Sequence, residues 1–205
     1  MIRDLWKAVI DGIKRLFKRR RYMSYREFVF LFQYVGEEYQ QELMRRLSAV
    51  KCPKSVCGFT VPANLNGITF GQLAVIAEQE SNDKVLQIAS VLVKVDESKL
   101  AEQDVEEVYG FANWAMREIN RINTLFAAIR QSHSQEEISA GINNLKFGMF
   151  GIADWYARRM GITDHEEVYH TCWVRIYKAM DMDAQHTEYQ KRLQQEYQRK
   201  NFKKR

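Results

Sequence analysis

A chain of 205 residues, 46% hydrophobic and 12% aromatic, can bury a core of its own and is not disordered throughout. Two prolines and ten glycines exclude a many-turned β fold in favour of long helices, and three cysteines, an odd count, speak for a reducing compartment rather than a disulfide framework. The net charge of +5 is uneven: residues 1–22 hold eight Lys/Arg against two Asp, residues 191–205 hold seven against one Glu, and the stretch between holds 16 against 23 acids. An acidic body with two basic ends is not a domain that reads nucleic acid with its folded face, although the ends themselves can meet phosphates, a membrane surface or an acidic protein.

Residues 2–20 read as a basic amphipathic helix. Ile2, Leu5, Trp6, Val9, Ile13, Leu16 and Phe17 recur at three- and four-residue spacing, with Asp4, Lys7, Asp11, Lys14 and Lys18 on the other face. That stripe can bury against its own body, a partner subunit or a lipid headgroup layer. The segment lacks the continuous apolar stretch and cleavage site of a secretory signal, and no run in the chain approaches the roughly 18 apolar residues of a membrane span. A second helix opens at Ser24, which makes a capping box with Glu27 while Met23 and Phe28 form a hydrophobic staple. From Phe28 to Val35 nearly every face is apolar, which predicts burial on more than one side and, in a chain this small, between subunits. The spacing carries this helix to Leu47, with Cys52-Pro53 as its stop.

Residues 51–68 are the turn-rich stretch. Val56–Val61 read as a short strand, with Pro62 and Asn66-Gly67 as turns, so at most one short strand or hairpin is expected near 55–62. Further helix starts follow: Thr69 with Gln72 (stapled by Ile68 and Leu73), Ser81 or Asn82, Asp104 with Glu107, Ser134 with Glu137, and Thr163 with Glu166. The short helix after Ser81 or Asn82 is expected to carry Val85, Ile88, Leu92 and Val95, and Gly161 to close the helix before it. In the long helix Val108, Ala112, Ala115, Ile119, Ile122, Phe126 and Ile129 keep a heptad seam, widened by Phe111, Trp114 and Leu125. The seam packs inside its own bundle or pairs with another chain. Gly148 and Gly151 are expected to admit a second backbone. A last helix runs from Trp173 through Ile176, Tyr177, Met180 and Ala184, and is read as continuing through Tyr189, Leu193 and Tyr197 to Lys203-Lys204-Arg205.

The expected fold is therefore all-α, a multi-helix bundle with a basic amphipathic N-terminal helix. Its expected parts are a helical extension over 1–50, a linker over 51–68, a bundle core over 69–185 and a basic helix or tail over 186–205.

No phosphate loop, dinucleotide fingerprint, nucleophile elbow or zincin helix occurs. Cys52 and Cys57, with His165, His170 and Cys172 downstream, lack the two tight ligand pairs of a zinc site. Asp154, Asp164, Asp181 and Asp183 stand beside caps, helix ends and arginines, where carboxylates have structural work. Trp155-Tyr156 and Trp173 read as core aromatics, since basic residues do not interleave with them. No catalytic residue, cofactor or metal is expected. The candidates for partner binding are Leu5, Trp6, Val9, Ile13 and Phe17 of the stripe, Lys18, Arg19, Arg20 and Arg21 of the basic run, and Phe30 and Tyr34 of the apolar helix.

Val61-Pro62 and Leu65 lead into Ile68-Thr69-Phe70-Gly71-Gln72, followed by an acid-rich gap, the apolar Val85–Val93, an acidic linker Asp96-Glu97-Ser98-Lys99-Leu100 and a further helix to about Ile129. This run resembles the small helical assembly proteins of tailed bacteriophages, especially the tail assembly chaperones. Phe150-Gly151-Ile152-Ala153-Asp154-Trp155-Tyr156-Ala157 with Met160-Gly161-Ile162-Thr163 is similar to the C-terminal region of such proteins. Residues 1–22 and the helix from Ser24 stand outside that pattern. The resemblance implies a non-enzymatic virion structural or assembly protein in a head–tail or tail-associated complex, acting in several copies, in the virion or the host cytoplasm. A tail assembly chaperone binding the tape-measure protein is one alternative. A peripheral membrane or nucleic-acid adaptor using residues 1–22 is the other.

Overall fold

The computed structural model describes residues 22–78, 80–81, 83–129 and 134–202. The helix expected over 2–20, with Leu5, Trp6, Val9, Ile13, Phe17, Lys18, Arg19, Arg20 and Arg21, lies outside them. The elements in chain order are α1 (Tyr25–Phe32), α2 (Glu37–Ser48), β1 (Ser55–Val56), β2 (Phe59–Thr60), α3 (Phe70–Glu78), α4 (Lys84–Val93), α5 (Glu97–Leu100), α6 (Val105–Ala127), α7 (Gln135–Ser139), a 3-10 turn (Ile142–Asn144), α8 (Gly148–Met160), α9 (His165–Tyr169) and α10 (Trp173–Phe202). Among the described residues the fold is all-α with one short hairpin, as the sequence predicts. Contacts divide it into two units, residues 22–63 with 81–117 and residues 64–80 with 118–202. These units cut across the linear segments 1–50, 51–68, 69–185 and 186–205.

The first unit is built on α1 and the start of α6. Ser24 accepts from Glu27 N–H at 3.2 Å while the Glu27 carboxylate accepts from Ser24 N–H at 3.1 Å, the expected capping box. Met23 to Arg26 are tied to the acid-rich stretch before α6: Tyr25 N–H donates to Gln103 O, Arg26 N–H to Ala101 O, and Val105 N–H to Met23 O, each at 2.9 Å. Met23, Tyr25, Phe28, Leu47, Val105, Val108 and Tyr109 form the core cluster, with Tyr25 and Phe28 rings 5.5 and 5.8 Å from Tyr109. The buried Tyr25 hydroxyl donates to Asp83, whose carboxylate also caps α4 by accepting from Val85 and Leu86 N–H at 3.1 Å. The hairpin turn Cys57-Gly58 takes positive φ at both residues, 48° and 78°, as a two-residue hairpin loop requires.

The second unit centres on Trp173. Its indole N–H donates to Leu65 O at 2.8 Å, Phe126 packs against it with ring centroids 6.0 Å apart, and Glu118 of α6 accepts from Leu65 N–H at 3.1 Å. Thr69 and Gln72 exchange the expected capping bonds at 3.1 and 3.2 Å. Glu78, at the end of α3, accepts from Met149 N–H at 2.7 Å and so caps α8.

Several local expectations are corrected. The helix from Ser24 does not reach Leu47: it stops at Phe32 and restarts after Gly36. The Gln40 side-chain amide donates to both Phe32 O and Val35 O at 2.9 Å, satisfying the carbonyls that the break frees. The N-cap of α4 is Asp83, not Ser81 or Asn82, and Val95 falls beyond the helix, which ends where Lys94 turns left-handed. Asp164 rather than Thr163 caps α9, accepting from Glu166 N–H at 2.9 Å. Gly148 and Gly151 admit side chains, not a second backbone. A Cβ on Gly148 would meet the Glu78 carboxylate at 2.7 Å, and one on Gly151 the Phe147 Cβ at 2.4 Å. Close backbone approach occurs instead at Gly71, beneath Tyr169 O, and at Gly110, beneath Lys51 O.

Candidate protein-binding faces

The candidates that the sequence marks for chemistry resolve into structural contacts. Cys52 and Cys57 are half-buried, and desolvation pushes both thiols above their ordinary value; Cys172 donates to Asn66 O at 3.0 Å. Asp154 pairs with Arg158 and meets His165 Nε2 at 3.3 Å, while the His165 ring stacks on Phe150. Asp164 is a cap, Asp181 accepts from Gln185, and Asp183 accepts two bonds from Arg159 at 2.8 and 2.9 Å, which hold its carboxyl below the ordinary range. Tyr156 and Trp173 are core residues, as the sequence suggests, whereas Trp155, read with them, is only half-buried. Among the described residues, no three of His, Cys, Asp and Glu gather as a metal-ligand set, and no helix is long and apolar enough to cross a membrane.

What distinguishes the surface is apolar. On α1 the buried side chains are Tyr25 and Phe28, while Val29 and Phe30, and Tyr34 in the turn after the helix, face solvent. Phe30 and Tyr34, 59% and 52% exposed, stand four residues apart with ring centroids 5.3 Å from each other. The sequence reads this helix as buried on more than one side. The structure gives it one buried and one open face, and places the two predicted residues together on the open one. Glu27 shares that face, and Arg26 beside it pairs with Glu102 at 2.7 Å. Around the anchored start of α1 runs the stretch Asp96–Glu107, six carboxylates against the single Lys99, with Glu97, Glu102, Glu106 and Glu107 exposed. Crowding there is visible in Glu107, whose carboxyl is raised by desolvation and by Asp104.

A second apolar face lies on α10, and the sequence reading missed it. Trp173, Tyr177, Met180 and Ala184 step by four, three and four residues; Trp173 and Ile176 are buried and Tyr177 packs on Phe126 and Trp173, while Met180 and Ala184 are half-buried. From Ala184 to Tyr189 the step is five residues, which turns the stripe by about 140° at 100° per residue. Tyr189, Leu193 and Tyr197 therefore do not continue the core seam, as the spacing first suggests. With Met182 and His186 they line the opposite side. Met182, Tyr189 and Tyr197 are 64%, 51% and 60% exposed, with Leu193 half-buried among them. Charges of both signs flank this stripe: Asp183, Glu188 and Glu196 as well as Arg192, Arg199 and Lys200, with Arg199 paired to Glu196 at 3.0 Å. A third apolar group, Leu145, Phe147 and Phe150, is exposed around the start of α8. No protein-family model, curated protein or solved structure matches the chain significantly.

Proposed function

We propose that this chain is a non-enzymatic structural or assembly protein of a tailed phage, working through protein–protein contacts in a head–tail or tail-associated complex. The observation that carries the reading is the pair of open apolar faces: Phe30 on α1 with Tyr34 in the turn that follows it, and Met182, Tyr189 and Tyr197 along α10. Single exposed apolar residues are ordinary on any protein, but aligned aromatics on one face of a helix are the anchors that protein interfaces use. The resemblance of residues 61–129 and 150–163 to small phage assembly proteins supplies the setting. The basic N-terminal segment, with its stripe of Leu5, Trp6, Val9, Ile13 and Phe17 and its run Lys18–Arg21, adds a further partner-binding element in this reading.

Quantitative mass spectrometry of purified particles tests it. A structural protein is present in stoichiometric amounts. Absence from particles, together with co-purification of the tape-measure protein from infected cells, would assign the chain to the assembly chaperones. Absence from both, with recovery on membranes or nucleic acid through residues 1–22, would remove the assembly reading.

A further inference from the structure

Asn66-Gly67 is the one Asn-Gly step in the chain. We propose that it is a self-modifying site, at which the Asn66 carboxamide leaves as ammonia and an aspartyl or isoaspartyl carboxylate takes its place. The two residues fill the centre of an exposed turn, closed by the Ile68 N–H, which donates to Leu65 O at 3.4 Å. Among the described residues nothing accepts from the Gly67 N–H, and nothing lies within 4 Å of where a Cβ on Gly67 would stand. The attacking nitrogen is therefore neither engaged nor shielded. Its target is held and polarised, because Asn66 Oδ1 accepts from the Arg121 guanidinium at 2.8 Å. Arginine has only donors, so the amide oxygen must face it, and the amide nitrogen, which leaves, takes no partner among the described residues.

The Gly67 nitrogen gives its proton to water or hydroxide and attacks Asn66 Cγ. The new C–N bond closes a five-membered ring, Oδ1 carries the negative charge, and the bond to Nδ2 then breaks as a proton returns and ammonia departs. Arg121 stabilises that oxyanion as a fixed donor does in any addition to a carbonyl. Water opens the ring at either carbonyl, without oxidant or reductant, to give an aspartyl chain or an isoaspartyl one whose main chain runs through Cβ and Cγ. The turn bears on the core of the second unit, since Leu65 O accepts from the Trp173 indole N–H at 2.8 Å and Asn66 O from the Cys172 thiol at 3.0 Å. The aspartyl product keeps this backbone and offers Arg121 a second carboxylate beside Glu118. The isoaspartyl product inserts a methylene into the main chain and turns the Asn66 carbonyl into a free carboxylate, which loosens the anchor of Trp173. The site is a slow one-way switch on the second unit, independent of what the chain assembles with.

The test incubates the full folded chain in mildly alkaline water labelled with heavy oxygen and follows the Asn66 peptide by mass spectrometry after acid digestion. Asn66 should take up the label and convert to both isomers, the signature of the cyclic intermediate, while the other asparagines stay. Gly67→Ala has room for its methyl and should slow the conversion at least about tenfold. Arg121→Met, which keeps the apolar stem and removes the donor, should slow it severalfold, with circular dichroism checking the fold of each variant. Asn66→Asp supplies the aspartyl product directly and should unfold like wild type, whereas the isoaspartyl fraction should unfold at lower urea. Conversion only in the urea-unfolded chain, or an equal rate in Gly67→Ala, would overturn the proposal. A faster Arg121→Met protein would mean that Arg121 restrains the amide instead of activating it. An isoaspartyl fraction as stable as Asn66→Asp would remove the link to Trp173.

Discussion

Gly110 sets two well-measured effects against each other, and the structure says which wins. It lies inside α6, where replacing glycine by alanine ordinarily gains about 1 kcal/mol of helix stability. Here a Cβ would meet Lys51 O at 2.5 Å, Val50 Cγ1 at 3.1 Å and Pro53 Cδ at 3.3 Å. Reaching ordinary contact at 3.4 Å needs a backbone shift of 0.9 Å in the segment joining α2 to the hairpin. That segment is held: Val50 N–H donates to Leu47 O, and the Asn113 side chain donates to Leu47 O at 2.8 Å from α6 itself. Overpacking of this kind costs about 1–3 kcal/mol, and a backbone carbonyl yields less readily than a side-chain end, so the upper half of that range applies. Gly110→Ala is therefore expected to destabilise by about 1–2 kcal/mol net, lowering the thermal midpoint by roughly 2–8 °C in a chain of this length. Gly67→Ala, with nothing within 4 Å of the new methyl, is the control and should be neutral or stabilising by up to about 1 kcal/mol. Urea unfolding followed by circular dichroism measures both. A Gly110→Ala protein as stable as wild type would mean that the Val50–Pro53 segment is not packed on α6, and the first unit as described would be wrong.

Burial and the bond to Asp83 hold the Tyr25 phenol protonated far above its ordinary value of about 10, and burial raises Tyr109 as well. Folding thus favours the protonated phenols, so stability is intact below pH 10 and falls as pH rises beyond it, and Tyr25→Phe should lose about 1–2 kcal/mol at pH 7 while shrinking that alkaline fall. Arg121 holds the Glu118 carboxyl below the ordinary glutamate value, with Leu65 N–H adding to it. Its contribution is present above the ordinary value and disappears as pH drops through the depressed one. Glu118→Gln should cost about 1 kcal/mol at pH 7, with the gap to wild type closing in acid, as a urea series at several pH values would show. A strong chelator should leave the thermal midpoint unchanged; stoichiometric zinc in native protein and a large drop on chelation would contradict this.

Helix starts were legible where one residue could do the capping and its reciprocal partner stood three positions on, as with Ser24 and Glu27, Thr69 and Gln72, or Ser134 and Glu137. They were misread where two capping residues stand close together. Asp83 displaces Ser81 and Asn82 because it also meets the Tyr25 hydroxyl, 58 residues away, which no local pattern reveals. The break at Gly36 depends on the Gln40 amide folding back over two carbonyls, a side-chain choice that spacing does not encode. Of the open apolar faces, that of Phe30 and Tyr34 was signalled by the excess of apolar residues from Phe28 to Val35. The α10 face was hidden because a run of apolar residues read without its phase looks continuous. The five-residue step from Ala184 to Tyr189 is the signal, and counting it as an angle would have found the second face.

Amide hydrogen exchange of the free chain and of the assembled protein tests most directly whether these two faces are where the protein binds. In the free chain the amides of α6 should exchange slowly, and those of the distal half of α10 quickly, since little packs on them. On assembly, protection should rise over residues 25–34 and 186–200 together and change little in α6. Assembly that leaves both segments exchanging as in the free chain would contradict the account, and the interface would have to be sought elsewhere.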